Sequence, residues 1–400
     1  MARDNPLCTN CISDKALSAW VEEHGHEAMC AYCGTEGTCS SLENVAEEID
    51  RVLRQFCTIA PEEGHVTDWT DNIVYSADGE SAEEILASEV IDAEGAVADI
   101  IEILSENESR DVRDGDDAFY GDVPLRHIRA YPDELLAIWD EFERRLKHEV
   151  RFFDEEGRRM LDVLFGDLPK LGGGRAVVTL DPESPDSKVY RARIVAEESA
   201  AEDFIRDPSR HIGPPPAASA TPGRMNPAGI PAFYGAFSKE VALAEIRPPV
   251  GSLVAIGEFS LLKPVRLLDM SFLPFAYHEE SMFSPSYEEA RSKVKFLEVF
   301  HRRISRPVLP SDEALAYLPT QAVAAYVTNV LGLDGIIYSS TQVGAEGEST
   351  GEQLPRNLCN VVLFGPAALV ERTPPPPRPP DPRTFRRANS PGLRFSGARC

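Results

Sequence analysis

The chain has 400 residues, 42% of them hydrophobic, and carries 66 acidic against 40 basic side chains, a formal net charge of −26. That is enough apolar material for two domains and tails. The acidic balance and a pI near 4.7 disfavour a nucleic-acid partner or an anionic membrane surface, both of which need a basic footprint.

The N-terminus MARDNPLC is polar and no run of about 18 apolar residues occurs, so the chain reads as cytoplasmic, with no membrane segment. Eight cysteines in 400 residues are too sparse for a disulfide scaffold. Cys8 and Cys11, then Cys30 and Cys33, form two C-x2-C pairs eighteen residues apart, the spacing of a four-thiolate structural zinc site. Gly34 supplies the permissive backbone of a metal knuckle. His24 and His26 lie between the pairs as weaker substitutes. Four thiolates close the shell, so no catalysis is expected at the metal. Residues 1–40 are read as a zinc-binding module.

Residues 41–170 read as helical. Ser40 with Glu43 fits a capping box before Leu42, Val45, Ala46, Ile49, Val52, Leu53 and Phe56, which recur at helical spacing. Asp78 to Asp117 holds fifteen acidic residues against two arginines, the pattern of a solvated helix face ending in a polar loop. A stronger helix begins at Pro132, with Leu135, Leu136, Trp139, Phe142, Leu146 and Val150 on one face. A shorter one runs through Met160, Leu161, Leu164 and Phe165.

Gly172-Gly173-Gly174 punctuates the chain, and the domain boundary is placed there. Beyond it, strands are predicted at Val189–Val195, through Tyr234, at Val254–Phe259, Gly335–Tyr338 and Asn360–Phe364. Helices are predicted at Lys239–Ile246 after Ser238, at Tyr287–Ile304 after a Ser286/Glu289 capping box, and at Gln321–Leu331. Arg206–Gly223, with three consecutive prolines, reads as a loop long enough to cover a pocket. Residues 367–400 read as a disordered Pro/Arg-rich tail. The fold class is α+β: a zinc knuckle and helical domain followed by a mixed α/β domain over 175–366.

The segment from Pro222 to Pro248 carries the functional signal. A Gly-Arg-x-Asn turn, an aromatic strand and a helix opened by Ser238 bring a cation, a ring and the carboxylate Glu245 into one compact unit. Those are the side-chain types that hold and split a dinucleotide. No G-x-G-x-x-G opens a helix, which counts against a Rossmann dehydrogenase.

YRAR in the first strand, GRMN-P-x-G followed by FYGAFS and ALAE, and the late GIIYSS resemble the RES domain, a family named for its Arg, Glu and Ser. LKHEVRFF at Leu146–Phe153 is similar to the HEPN-like helical domain that precedes RES domains in one branch. The resemblance implies a fold like the ADP-ribosyltransferase core and a toxin of a toxin–antitoxin pair that breaks the nicotinamide–ribose bond of NAD. The ribosyl group passes to water, phosphate or a protein acceptor. An antitoxin or immunity protein is the implied partner. Residue by residue, Arg191 matches the strand Arg, Arg224 the GRxN Arg, Tyr234 the aromatic, Glu245 the acid and Ser340 the late Ser. Arg193 remains an alternative to Arg191, since both lie on one strand face. Met225 and the extension Val343–Pro355 depart from the family pattern.

The chemistry suits these residues. Departure of nicotinamide leaves an oxocarbenium-like ribose, which Glu245 would stabilise. Arg191, with Arg224 and Arg193 as further candidates, would hold the pyrophosphate. Tyr234 would stack on the nicotinamide, Ser340 would orient the ribose or amide, and Asn226 would fix its loop or touch substrate. Two other classes compete. One is an RNA-cleaving HEPN toxin using Arg144 or Arg145 with His148 and a nucleotide-sensing RES half; the other is a non-catalytic zinc adaptor.

Overall fold

A computed structural model describes residues 2–60, 66–67, 73–74, 79–108, 118–121, 123–275, 278–305, 308, 313–340, 342 and 355–371. The chain divides into two compact units, one of Met1–Tyr131 with Glu279–Arg291, the other of Pro132–His278 with Ser292–Cys400. The division therefore falls at Tyr131, well before the expected boundary at Gly172–Gly174. Those three glycines adopt left-handed φ of 57°, 65° and 88° in a tight turn inside the second unit, where Leu168 and Gly172 are buried. What reads as a linker is a turn.

In the first unit, strands Pro6–Cys8, Glu36–Ser41 and His26–Met29 form an antiparallel sheet in that spatial order. The helix Lys15–His24 starts at Asp14, whose Oδ1 accepts from the amides of Ala16 and Leu17 at 2.9 and 2.8 Å. The helix Leu42–Phe56 buries all seven apolar positions read from the sequence. Its N-cap is Ser41 rather than Ser40, because the preceding strand runs through Ser40 and buries it. Leu7, Leu17 and Val21 share one core with Val45, Ile49 and Ile100, so residues 1–40 are not a separate module. The acidic segment supplies the helix Glu94–Asn107 to that core; its polar end at 109–117 lies outside the described residues.

The second unit is built on a seven-stranded sheet. Its strands in chain order are β1 (Val177–Leu180), β2 (Lys188–Val195), β3 (Phe233–Ala236), β4 (Leu253–Ser260), β5 (Val265–Asp269), β6 (Gly335–Ser339) and β7 (Cys359–Leu363), and their spatial order is β4-β2-β3-β7-β6-β5-β1. Only β5 and β6 run parallel. β1 and β5 were not legible beforehand. The α+β class holds for this unit.

Helices α1 (Asp133–His148), α2 (Glu155–Phe165), α3 (Lys239–Ile246), α4 (Tyr287–Ser305) and α5 (Leu318–Asn329) accompany the sheet. Pro132 is the N-cap of α1, not its first residue, and the helix stops at His148, leaving Val150 exposed. Trp139 and Phe165 pack with Phe296 and Phe300, ring centroids 4.8 to 6.0 Å apart, over the Ile336 and Val362 face of the sheet. α1 and α2, expected in the N-terminal domain, thus belong to the core of the second unit. Arg206–Gly223 contains the short helix Pro208–His211 where only a loop was expected. Residues 372–400 lie outside the described ones.

Candidate active site

α3 forms where the sequence places it. Ser238 Oγ accepts from the Val241 amide at 3.3 Å, Val241 and Ala242 bury against Ala192 and Ala236, and Arg247 ends the helix in a left-handed conformation. Glu245 stands in the last turn. A carboxylate there opposes the helix dipole, so its position needs compensation from elsewhere. Two donors provide it: Ser340 Oγ reaches Glu245 Oε1 at 2.7 Å, and Asn360 Nδ2 reaches the same oxygen at 2.8 Å. Both donors are buried, while Glu245 itself is exposed. Ser340 also accepts the Gln342 amide at 3.2 Å, and Gln342 Oε1 accepts from Arg247 Nε at 2.9 Å, tying the end of α3 to the segment after β6.

Tyr234 and Asn226 form a second group. The Tyr234 hydroxyl donates to Asn226 Oδ1 at 2.8 Å and accepts the Met225 amide at 3.0 Å. Asn226 Nδ2 lies 2.9 to 3.2 Å from the carbonyls of Thr221, Pro227 and Ile230. Gln321 Nε2 donates to the carbonyls of Gly223 and Asn226 at 2.8 and 3.0 Å. A Cβ at Gly223 would come within 2.8 Å of the Tyr234 hydroxyl, so glycine is needed for the turn to close on the phenol. Asn226 is thus occupied in fixing its loop, and Tyr234 has only its ring to offer a ligand. Met225 packs into the core rather than into the site.

The arginines sit differently. Tyr190 pairs with Ala236, Ala236 with Asn360, and Asn360 with Tyr338, so these side chains share one face, with Tyr234 in the same sense. Arg191 alternates to the other face, where its guanidinium lies 5.5 Å from the Phe233 ring centroid. It does not meet Glu245. Arg191 is buried, and its Nη1 has no hydrogen-bond partner among the described residues. Burial, with Arg193 adding to it, pulls its pKa down to about 9, so it stays charged at neutral pH. Arg193 is exposed. The β2–β3 ladder is the single Ala236–Tyr190 bridge, and Tyr234 feels Arg191 beside it. Burial pushes the Tyr234 phenol up to about 12, against the Met225 amide and the Arg191 charge. Arg224 Nη1 donates to the Ile304 carbonyl at 2.6 Å, and its side chain lines a cavity of about 150 Å³ with Lys147, Arg303 and Tyr317.

Five residues of the sequence-derived set thus fall into two hydrogen-bonded groups and a buried arginine: Glu245 with Ser340, Tyr234 with Asn226, and Arg191. Asn360 escaped the sequence reading, since nothing distinguishes it from any other strand asparagine until β7 pairs with β6. Arg144 is ion-paired with Glu141 and Glu149, each at 2.7 Å, and Arg145 with Asp154 at 2.8 Å. Both guanidiniums are neutralised beside an exposed His148, which favours no nuclease site there.

In the first unit the four cysteines converge. Their sulfurs all lie within 4.8 Å of one another, with Cys8–Cys33 at 3.5 Å, Cys8–Cys11 at 3.7 Å and Cys11–Cys30 at 3.8 Å. Four bonds of about 2.3 Å to one tetrahedral ion place sulfurs about 3.8 Å apart, so the cluster fits zinc. A disulfide would need about 2.05 Å. Gly34, at φ 69°, turns the second pair as anticipated. His24 instead hydrogen-bonds the Trp20 carbonyl at 2.9 Å.

Residues 188–388, half of the chain, match the RES domain. The chain belongs to the RES domain family. The match opens on the first residue of β2, so β1, α1 and α2 share a compact unit with the RES domain but lie outside it. It does not reach residues 1–187, and the HEPN-like resemblance of the helical segment gains no support from it. One solved structure, of the M. tuberculosis MbcT-MbcA toxin-antitoxin complex, is similar at 13% identity over 50% of this chain and 86% of that chain, with a TM-score of 0.23. A likeness that slight carries no weight for fold or function. No curated protein matches the chain. Among the described residues no helix is long and apolar enough to cross a membrane.

Proposed function

We propose that this RES domain protein consumes NAD by breaking the bond between nicotinamide and ribose. The observation that carries the reading is the Glu245 carboxylate, fixed through one oxygen by Ser340 and Asn360 and open to solvent on its other side. As the C1′–N bond breaks, its electron pair neutralises the pyridinium and positive charge develops on the ribose. A carboxylate held beforehand stabilises that charge without reorganising. C1′ then bonds an oxygen of water, phosphate or a protein side chain, with loss of that group's proton. The Tyr234 ring offers a surface for the base, while Arg191 enters this reading as pyrophosphate ligand only as an expectation carried over from the family resemblance, since it lies on the other face of β2 from the residues that hold Glu245. A neutralising antitoxin and a protein acceptor belong to the same reading, as expectations carried over from the family resemblance.

The test is incubation of the purified chain with NAD, followed by mass spectrometry of the adenine-containing product. ADP-ribose, ADP-ribose phosphate and a modified protein differ in mass. Intact NAD at the end of the incubation overturns the proposal and favours the zinc adaptor.

For the cysteine cluster we infer a structural zinc ion held by Cys8, Cys11, Cys30 and Cys33. Three of the four thiols are buried, and Cys8, Cys11 and Cys30 are part of the first unit's core. The ion would be a cross-link between the start of the chain and the turn after residue 29, and its removal should destabilise that unit. Elemental analysis should return one zinc per chain, and chelation should lower the melting temperature by several degrees. A metal-free protein, purified without chelator and melting at the same temperature with or without added zinc, overturns the assignment.

A further inference from the structure

We propose that Tyr338 contacts the substrate, its hydroxyl hydrogen-bonding the ribose beside Glu245; this rests on the NAD reading above. The geometry begins with register. Tyr338 on β6 lies directly across from Asn360 on β7, and opposed residues of an antiparallel pair carry their side chains on one face. Ser340, two residues after Tyr338, continues that face. Asn360 and Ser340 both donate to Glu245 Oε1, so Tyr338 stands next to the two residues that fix the carboxylate.

Hydrogen-bond accounting separates the three. Asn360 and Ser340 are committed to Glu245, and both are about 2% exposed. The Tyr338 side chain is half-buried, packed along the core that includes Ile336 and Val362, yet no hydrogen bond of its hydroxyl occurs among the described residues. Nor does Glu245 Oε2 accept one. The hydroxyl is not itself sealed from solvent, so a ligand can reach it and take up its free donor. Burial, and after it the nearby Glu245, raise the Tyr338 pKa, so the group remains a phenol and can donate. A carboxylate that only accepts, beside a phenol that donates, is complementary to a sugar hydroxyl, which does both.

The competing account is that Tyr338 merely fills the core with its ring. Tyr338→Phe distinguishes the two, since it keeps the ring and removes only the hydroxyl. Nicotinamide release should show kcat/KM reduced about tenfold, the loss of roughly one substrate hydrogen bond, at an unchanged or slightly higher melting temperature. A Phe variant within twofold of wild type overturns the proposal while leaving the NAD reading intact. A variant melting several degrees lower also overturns it, because the hydroxyl is then structural. A wild-type protein that releases no nicotinamide overturns the reading and the Tyr338 proposal together.

Discussion

Glu245→Gln is expected to lose NAD turnover by about a hundredfold to a thousandfold or more while melting at or slightly above the wild-type temperature. The substitution is nearly isosteric. A glutamine carbonyl oxygen can still accept from Ser340 Oγ and Asn360 Nδ2, now 2.7 and 2.8 Å from Oε1, so the end of α3 stays attached to β6 and β7. What disappears is the negative charge. In the ground state that charge is a small liability, because it stands at the negative end of the α3 dipole, where removing it is worth a few tenths of a kcal/mol. On the NAD reading the same charge would face a ribose turning cationic in the transition state, where a carboxylate held beforehand would contribute several kcal/mol. Nicotinamide release followed by chromatography, with a melting scan on the same samples, reads both effects. Full activity at a native-like melting temperature would remove Glu245 from the chemistry; a large fall in melting temperature would make it a structural clamp.

How much of this was legible beforehand follows from which residues carry local signals. Ser238 opens α3 and the apolar spacing of Val241, Ala242 and Ile246 closes it within eight residues, so the helix bearing Glu245 is written locally. The β-branched alternation of β2 is equally local. The strand Val265–Asp269 was missed because VRLLD has no alternation: Leu267, Leu268 and Asp269 are all buried. The glycine triplet misled because only tertiary packing shows that Trp139 faces Phe300, far along the chain. The same limit applies to the site. Sequence alternation puts Arg191 and Arg193 on one face of β2, but which face that is relative to Tyr234 depends on a single bridge, Ala236 to Tyr190. Asn360 and Tyr338 become neighbours of Glu245 only once β6 and β7 pair. Motif order therefore named Glu245 and Ser340, which the fold brings into hydrogen-bonding contact, while the partition of the arginines from them had to come from the fold.

Arg191→Met should raise stability in the absence of ligand and at the same time weaken NAD binding. Arg191 is 9% exposed, has a cation–π contact with Phe233, and has no hydrogen-bond partner at Nη1 among the described residues. Gly257 lies directly opposite it on β4, and among the described residues no carboxylate pairs with it. Burying a charge with so little compensation is costly, and replacing such a group by an apolar side chain of similar length is commonly stabilising by about 1–4 kcal/mol. Methionine keeps the unbranched stem that fills the site, which limits any cavity cost. The melting temperature should rise by several degrees, since each kcal/mol is worth about 2–4 °C in a unit of this size. An anionic ligand reverses the balance for wild type, because its pyrophosphate would pair the charge that burial now penalises. In the turnover-deficient Glu245→Gln background, NAD should therefore raise the melting temperature strongly with Arg191 present and little with Met in its place. A Met variant that melts below wild type without ligand would show that the guanidinium is already paid for by the fold, and equal stabilisation by NAD in both proteins would move the phosphate contact elsewhere, with Arg224, which lines a cavity with Glu143 and Lys147, the next residue to test.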